Sequence, residues 1–263
     1  MEILKITSRQ NEAVKQFCAV ARNPESRRQT GQFAVEGARL CADAAKSGMA
    51  LKSVFFTLRA QEKYPSYLET LIQKAQLCYE IAEPVAEKMR DVKSPQGIFC
   101  LCEARKTEPV SRMKPGSRYL AAEHLQDPSN LGAIMRSAEA LGIDGLLISS
   151  DCCDPYAPKA LRASMGAAFR LPVYETAAFP ETLQSLRERG FATYAAVVDP
   201  AAQSVLEADF SQGAVLAVGN EGNGLSAEAI AACHPITIPM RGRAESLNAA
   251  AAAMILMWEM MRR

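Results

Sequence analysis

The sequence contains 263 residues, of which 49% are hydrophobic and 22% are charged, and its formal net charge is +1 at pH 7. This composition excludes a disordered polar chain, and the length allows two domains of ordinary size. The longest fully apolar run, residues 249–258, is about half as long as a membrane-spanning helix, which argues against a membrane partner. The opening residues MEILKITSRQ contain no apolar signal core, so we expect a cytoplasmic protein.

Eight cysteines occur singly within apolar segments or as two close pairs, Cys100 with Cys102 and Cys152 with Cys153. No second pair follows at the spacing of a zinc ribbon, and only two histidines are available as partners. The pattern predicts reduced, packed thiols in a reducing compartment and no metal site.

Charge is divided unevenly along the chain. Residues 1–116 contain 19 Lys and Arg against 13 Asp and Glu, a net charge of +6, whereas residues 117–263 contain 11 against 16, a net charge of −5. A basic module joined to an acidic one is typical of a polyanion-binding part attached to a catalytic part. An uneven but solvated surface would give the same distribution.

The first half of the chain alternates helical and strand patterns, which predicts a small α/β domain over residues 1–105. The predicted elements are a helix from about Ser8 through Cys18, a strand at 33–35, a helix at 38–46, a strand at 54–57, a helix at 67–75, a strand near 79–82 and a strand at 98–102.

Residues 22–31, RNPESRRQTG, combine three arginines with turn-forming residues and no core residue. The segment is predicted to be a loop in which Arg22, Arg27 and Arg28 contact RNA. A solvated surface loop is the alternative interpretation.

Residues 106–117, KTEPVSRMKPGS, contain two prolines and a glycine without apolar periodicity, which predicts a linker. After it the alternation becomes more regular over residues 118–263, and strand runs such as GLLIS and AVLAV are apolar on both faces. Such runs indicate a parallel sheet covered by helices on each side. The predicted strands are 119–122, 145–149, 192–198, 214–218 and 236–239, and the predicted helices are 131–141, 159–168, 180–189, 227–232 and 247–260.

The first segment with a chemical signal is residues 127–142, DPSNLGAIMRSAEALG. Asp127 or Ser129 can cap the following helix, and Gly132 lets another backbone approach. Arg136 lies near the N-terminal end of this helix, where an anion is favoured. An arginine on an amphipathic helix is usually solvated, so Arg136 alone does not define a site.

The second segment, residues 214–226, is AVLAVGNEGNGLS, in which a buried strand runs into a loop with three glycines and Ser226 caps a helix. This is the layout of a nucleotide-binding turn, but the spacing is not G-x-G-x-x-G and no Walker lysine follows. Glu221 puts a carboxylate where a phosphate cradle needs bare amides. The loop therefore favours a cationic or uncharged ligand.

The third segment, residues 236–261, begins with a short strand that ends in a proline. An irregular stretch with Arg241 and Arg243 follows, and Ser246 or Asn248 begins a helix that is almost free of charge. Such a helix must be buried nearly all round, either in the core of its own chain or against another subunit.

These three segments, in this order, resemble the motifs of the SpoU/TrmH family within the SPOUT superfamily of RNA methyltransferases. The matching residues are Asn130, Gly132 and Arg136, then residues 219–225, then Ile238, Pro239 and Met240 followed by Ser246, Leu247 and Asn248. The first half, with SRQNEAVKQF and RRQTGQFAVEGARL, resembles the family's N-terminal SpoU substrate-binding domain, which is similar to an L30e-like fold.

The resemblance implies an α/β protein with an N-terminal L30e-like domain and a C-terminal SPOUT domain that contains a deep trefoil knot. Ordinary topology rules would exclude such a knot. It also implies a homodimer with the cofactor pocket close to the subunit interface. The alanine run after Asn248 departs from relatives, which often carry bulkier β-branched residues there.

By the same resemblance, the cofactor is S-adenosylmethionine and the reaction is methylation of a ribose 2′-hydroxyl in structured RNA. A guanosine of 23S ribosomal RNA is favoured as the target, and transfer RNA is the alternative. The implied cofactor-binding residues are Val218, Gly219, Asn220, Ile238, Met240 and Leu247. The residues implied to face the chemistry are Asn130, Arg136, Glu221, Ser246 and Asn248. Arg241 and Arg243 are expected to contact RNA at the mouth of the pocket.

The family assigns activation of the hydroxyl to Arg136. Because arginine normally stays protonated, we expect it to act as an electrostatic clamp on the developing oxyanion rather than as a general base. A nucleotide-dependent oxidoreductase is disfavoured by the missing G-x-G-x-x-G pattern. A non-catalytic RNA-binding protein remains the alternative of another class.

Overall fold

The computed structural model describes residues 2–262, which cluster into two compact units. The first unit comprises the residues up to Lys106 together with Tyr156–Phe169, and the second comprises Thr107–Pro155 and the residues from Arg170 onwards. The segment Tyr156–Phe169, which the sequence analysis placed in the C-terminal domain, thus packs within the first unit. The predicted linker falls at the start of the second unit, where Met113 is buried.

The strands and helices alternate along most of the chain. The strands are β1 (Ile3–Ile6), β2 (Gln32–Glu36), β3 (Leu51–Phe56), β4 (Ala75–Ile81), β5 (Ile98–Glu103), β6 (Arg118–Ala122), β7 (Gly145–Ser149), β8 (Val173–Thr176), β9 (Thr193–Ala196), β10 (Gln203–Ser204), β11 (Ala214–Val218) and β12 (His234–Thr237). The helices are α1 (Glu12–Arg22), α2 (Pro24–Thr30), α3 (Ala38–Lys46), α4 (Leu58–Lys63), α5 (Pro65–Lys74), α6 (Glu83–Met89), α7 (Pro128–Leu141), α8 (Pro158–Ser164), α9 (Phe179–Glu188), α10 (Ala227–Ala231) and α11 (Ala249–Arg262).

The first unit contains a five-stranded mixed sheet in the order β1-β4-β3-β5-β2. Helices α1 and α6 pack on one face of it, where Phe17 meets Phe55 and Phe99 at ring-centroid distances of 5.7 and 5.6 Å. Edge-to-face aromatic packing of this kind adds to the free energy gained by burial. On the opposite face, α3 packs against β5 and α5, with Cys41 next to Cys100. The predicted α/β class of this half is confirmed.

The prediction of a loop at residues 22–31 is wrong, because α1 ends at Arg22 and α2 follows at once. The residues taken as turn formers are helix caps: the Asn23 side chain accepts a hydrogen bond from the Glu25 amide, and Gly31 ends α2 with φ 62°. Arg27 is buried and donates hydrogen bonds to the carbonyls of Val20 and Ala21 at the end of α1. Because its guanidinium satisfies carbonyls at the end of α1, Arg27 is not exposed for the RNA contact that was predicted from the sequence.

The segment Tyr156–Phe169 is anchored in the first unit by aromatic and ionic contacts. The fully buried ring of Phe33 stacks on Tyr156 at 4.4 Å and on Phe169 at 5.9 Å. In addition, Arg162 in α8 pairs with Asp91 at 2.5 Å. The core of the first unit is therefore completed by residues from the second half of the sequence.

The second unit contains a seven-stranded sheet in the order β10-β12-β9-β11-β6-β7-β8, and all six strand pairings are parallel. Strands β7 and β11 are buried on both faces, which confirms the predicted parallel sheet. Strands β8 and β10 were missed because they are short and half exposed. Among residues 2–262, no helix is long and apolar enough to cross a bilayer, and no group of three or more side chains is arranged to hold a metal ion.

One buried carboxyl group in the first unit makes the stability of the fold depend on pH. Glu36 Oε1 is buried without a hydrogen-bond partner, while Oε2 accepts a hydrogen bond from the Asp91 amide at 2.8 Å. Burial raises the pKa of Glu36, and the nearby Asp91 carboxylate acts in the same direction. The folded state therefore binds this proton more tightly than the unfolded state does.

We expect Glu36→Gln to flatten the pH dependence of stability. A carboxyl whose pKa is raised on folding contributes stability at low pH that is lost as pH rises through the folded pKa. The variant should thus gain stability relative to wild type as pH rises above about 4.3, the ordinary pKa of a glutamate, measured by urea unfolding at a series of pH values. Glu62→Gln, at an exposed glutamate, is the matched control. An unchanged pH profile for Glu36→Gln would contradict the assignment.

Candidate active site at the carboxyl ends of the parallel strands

The second unit contains a cavity of about 450 Å³ next to the carboxyl ends of β9, β11 and β12. Its walls come from the segments that directly follow these strands and from the first turns of α11. Ligands of parallel α/β sheets bind at this edge, because the loops that leave the strands converge there. The volume is that of a small-molecule site.

The loop after β11 is a tight turn that is closed by its own backbone. Asn220 and Gly224 exchange two backbone hydrogen bonds of 3.0 Å, and Gly224 has φ 71°. A Cβ atom on Gly219 would lie 2.0 Å from the carbonyl carbon of Gly224, so only glycine permits this closure.

The Asn220 side chain determines what this loop can bind. Its Oδ1 accepts hydrogen bonds from the amides of Gly222 at 2.8 Å and Asn223 at 3.2 Å. These are the amides that a phosphate-binding loop would offer to its ligand. Since they are already engaged and the Glu221 carboxylate is exposed beside them, the loop suits a cationic or neutral group rather than a phosphate.

The three chemically suggestive segments meet through a chain of side-chain hydrogen bonds. Asn130 in α7 donates from Nδ2 to Glu221 Oε1 at 2.7 Å, and Asn248 donates from Nδ2 to Asn130 Oδ1 at 3.2 Å. The Asn248 Oδ1 also accepts the amides of Ala250 and Ala251, so Asn248 caps α11. The Asn130 side chain thus connects the glycine loop to Asn248 at the start of α11.

The predicted site residues divide into three groups by position. Those that line the cavity are Val218, Gly219, Asn220, Glu221, Ile238, Met240, Ser246 and Leu247. Asn130 and Asn248 join the site through hydrogen bonds. Arg136, Arg241 and Arg243 are exposed, and none of them forms a hydrogen bond or ion pair with the residues that the structure describes.

Glu123, which was not predicted from the sequence, directly follows β6 and is only 2% exposed. Its carboxylate accepts two hydrogen bonds of 2.8 Å, from the amide and the hydroxyl of Ser226. Ser226 in turn caps α10, as predicted. Glu123 therefore fixes the exit of the glycine loop. The available signal was an acidic residue immediately after a fully apolar strand.

Next to this position, His124 has φ 54° and its imidazole pairs with Asp151. The His124 carbonyl accepts a hydrogen bond from Asn220 Nδ2 and so helps to hold the glycine loop in place. A non-glycine residue in the left-handed region is uncommon and marks a locally constrained backbone. Because His124 lies between the recognised segments, no motif pointed to it.

The cysteine pair beside the site is unsuited to nucleophilic chemistry. Burial raises the pKa of Cys153 to about 12, and the neighbouring Cys152 and the carboxylate of Glu221 act in the same direction. A thiol with such a pKa stays protonated at neutral pH, whereas the thiolate is the nucleophile. All eight cysteines are free thiols, as the sequence predicted.

Two family models match the chain. The SpoU rRNA Methylase family matches residues 117–258, and the MRM3-like substrate binding domain matches residues 11–100. The cavity-lining residues all fall within the first of these two segments.

Relatives and solved structures cover almost the whole chain. The chain is 34% identical to the uncharacterized tRNA/rRNA methyltransferase slr1673 of Synechocystis sp., over 99% of this chain and 94% of that protein. It is 30% identical to the 23S rRNA (guanosine(2553)-2′-O)-methyltransferase RlmP of Bacillus subtilis, over 97% and 98%. The AdoMet-bound rRNA methyltransferase from Sinorhizobium meliloti has a TM-score of 0.86 and 28% identity, over 99% of this chain and 98% of that one.

We expect Gly219→Ala to abolish binding of S-adenosylmethionine. The added methyl group would overlap the backbone of Gly224, so the loop must open and the cavity wall must move. Gly242→Ala is the matched control, since open space surrounds that position and its φ is not positive. Calorimetric titration with S-adenosylmethionine should give no measurable heat for Gly219→Ala and a near wild-type affinity for the control. Wild-type affinity in Gly219→Ala would disprove the proposed role of the loop.

The cavity at the sheet edge, its non-phosphate glycine loop and the asparagine–glutamate contacts lie within the segment that the methylase model matches. A substrate-binding domain model covers most of the first half. This protein belongs to the SpoU family of RNA methyltransferases, and its cofactor is S-adenosylmethionine.

Proposed function

We propose that this enzyme methylates the 2′-hydroxyl of a guanosine in 23S ribosomal RNA. The observation that carries the proposal is the contact of Asn130 with both Glu221 and Asn248, which joins all three motifs at the mouth of the cofactor cavity. The choice of substrate is supported by the near full-length similarity to RlmP, whose name specifies a guanosine of 23S rRNA. The proposed location is the cytoplasm, in keeping with the free thiols.

In the proposed reaction, bound S-adenosylmethionine supplies an activated methyl group, and the ribose 2′-oxygen attacks it in line. The residues of the chain must bind the two reactants in this geometry and stabilise the negative charge that develops on the oxygen. Arg136 is available for this task because it is exposed and forms no ion pair within residues 2–262. We assign it as a clamp on the oxyanion and an adjacent RNA phosphate, which receives the proton.

The other polar residues have positioning roles in this proposal. Glu221 accepts a hydrogen bond from Asn130, and its carboxylate suits the positive charge of a sulfonium. Ser246 and Leu247 line the cavity, while Asn248 holds the start of α11 next to them. A wall shared by the glycine loop and α11 would therefore fix the cofactor before RNA arrives.

Exposed arginines are the proposed RNA contacts. Arg241 and Arg243 lie in the segment that follows β12, and Arg22 and Arg28 lie in the first unit. All four side chains are exposed, and Arg28 is paired with Glu25. Phosphate contacts of this kind give affinity without sequence preference, so the choice of nucleotide must depend on RNA shape and base contacts.

We also propose a homodimer that covers the outer face of α11. Ile255 and Trp258 are 40% and 56% exposed on a helix whose opposite side is buried in the second unit. A second copy would remove this apolar surface from water.

We further propose that the first unit has an L30e-like fold and that the second unit contains a deep trefoil knot. For the knot, the support is the order of the strands: β11 lies between β6 and β9, whereas β12 pairs with the other edge of β9. From that edge, α11 returns to pack against α7 and β6.

A methylation assay with purified protein and tritiated S-adenosylmethionine tests the substrate. Unmodified 23S rRNA transcript should incorporate label at one ribose, located by mapping 2′-O-methyl positions, and a mixture of unmodified tRNA should not. Labelling of tRNA alone would favour a tRNA methyltransferase. S-adenosylmethionine binding without transfer to any RNA would favour a non-catalytic RNA-binding protein.

We expect Arg136→Ala to lower turnover by at least about a hundredfold, the usual cost of removing one oxyanion-stabilising donor. Affinity for S-adenosylmethionine should stay unchanged, because the residue does not line the cofactor cavity. Arg136→Lys keeps the charge but loses the planar fork, so full turnover in this variant would argue against a bidentate clamp. Arg187→Ala, another exposed helical arginine, is the control. Wild-type turnover in Arg136→Ala would show that the proposed active site is misplaced.

We expect Trp258→Glu to convert the dimer into a monomer in sedimentation-velocity experiments. A charge at the centre of an apolar interface loses hydration without gaining a partner. Leu58→Glu, which alters another exposed apolar side chain in the first unit, should leave the sedimentation coefficient unchanged. A dimer of undiminished stability in Trp258→Glu would exclude this face of α11 as the interface.

A further inference from the structure

Three cationic side chains converge on one short helix of the first unit. Arg9, in the segment before α1, donates from Nε to the Pro84 carbonyl of α6 at 2.8 Å. Arg22, the last residue of α1, donates from Nη2 to the Lys88 carbonyl at 2.6 Å. Lys88 itself donates from Nζ to the Arg9 carbonyl at 2.7 Å. The three side chains therefore form one group, which we call the α6 cation cluster.

The cations of this cluster are held by carbonyl oxygens and not by carboxylates. Among the described residues, none of the three forms an ion pair, whereas Lys15 and Arg28 each pair with a glutamate on their own helix and Arg90, directly after α6, pairs with Glu87. Each cation uses a single N–H group in these contacts, so most of its donors remain available to a ligand. The cluster thus concentrates three positive charges that no acidic side chain neutralises.

The thiol of Cys18 gives a second indication of where the charges of Arg22 and Lys88 lie. Cys18 in α1 lies against the Lys88 carbonyl at 3.7 Å. Burial raises the pKa of Cys18, while the charges of Arg22 and Lys88 act in the opposite direction. Both cations therefore lie close to the same atom, on the α1–α6 face of the sheet.

We propose that Arg9, Arg22 and Lys88 form a binding site for the phosphodiester backbone of the RNA substrate. The inference rests on the proposed function, because it presumes that the ligand is RNA. Guanidinium groups bind phosphate oxygens through paired charge-assisted hydrogen bonds. The carbonyl contacts order the side chains in advance, so less conformational entropy is lost on binding.

The cluster also explains which arginine of the segment 22–31 is best suited to RNA. Arg27 is buried against α1, and Arg28 is exposed but paired with Glu25, so Arg22 is the exposed arginine of the three that has no acidic partner. Its partners Arg9 and Lys88 are far away in the sequence, which is why the arginine-rich segment does not reveal them. The site is assembled by the packing of α6 beside α1.

The test compares two double variants that each remove two positive charges. Arg9→Ala/Arg22→Ala removes the guanidinium groups of the cluster and leaves the Arg9 carbonyl in place for Lys88. Arg39→Ala/Arg59→Ala is the control, on exposed residues of α3 and α4. Filter binding with unmodified 23S rRNA transcript gives the dissociation constant over a salt series. The cluster variant should lose about 1.4 to 1.8 from the slope of log Kd against log salt, at roughly 0.7 to 0.9 per contact, and the control should keep the wild-type slope.

Further measurements separate the possible failures. Arg9→Lys/Arg22→Lys keeps both charges and should retain the wild-type slope, and all variants should bind S-adenosylmethionine equally. Equal slopes for the cluster and control variants would overturn the proposal. If Arg9→Ala/Arg22→Ala loses S-adenosylmethionine binding, the single variant Arg22→Gln replaces it in the test. Its slope of log Kd against log salt should be smaller than the wild-type slope by about 0.7 to 0.9. Wild-type protein that neither binds nor methylates RNA would instead overturn the proposed function.

Discussion

The close approach of the backbone at Gly219 and Gly224 is the constraint on which the cavity at the sheet edge depends. Because the loop closes on itself, it presents a wall instead of a row of free amides, and Asn220 occupies the amides that remain. This closure lets Glu221 reach Asn130 and lets Glu123 hold the far end through Ser226. A glycine-rich turn after a parallel strand is thereby better suited to a cationic ligand than to a phosphate.

Patterns within the sequence predicted the second unit better than the first. Strands such as β7 and β11 are apolar on both faces, and their bounds were predicted to the residue. All the residues predicted to bind the cofactor line the cavity, since they lie in two continuous motifs. What could not be predicted depends on contacts between distant residues. The buried Glu123 and the strained His124 have meaning only once β6 lies beside β7 and β11.

Arginines were the least predictable residues, because identical side chains have different surroundings. A helix end uses Arg27 to satisfy its carbonyls, a glutamate one turn away pairs with Arg28, and Arg22 joins a cluster of cations. All three arginines contribute equally to the net charge of the first half, whatever their partners are. A high density of basic residues in a sequence is typical of a polyanion-binding domain, but only the partners of each residue show which of them are available to a ligand.

The segment Tyr156–Phe169 has a consequence for how the chain is made. The ring of Phe33 is fully buried, and part of what covers it is Tyr156 and Phe169, which are synthesised more than a hundred residues after it. During translation, the first unit must therefore wait with an unfinished aromatic core until residue 169 has left the ribosome. The first unit therefore cannot be completed from the residues up to Lys106 alone, and residues 107–155 of the second unit are synthesised before the first unit can be completed.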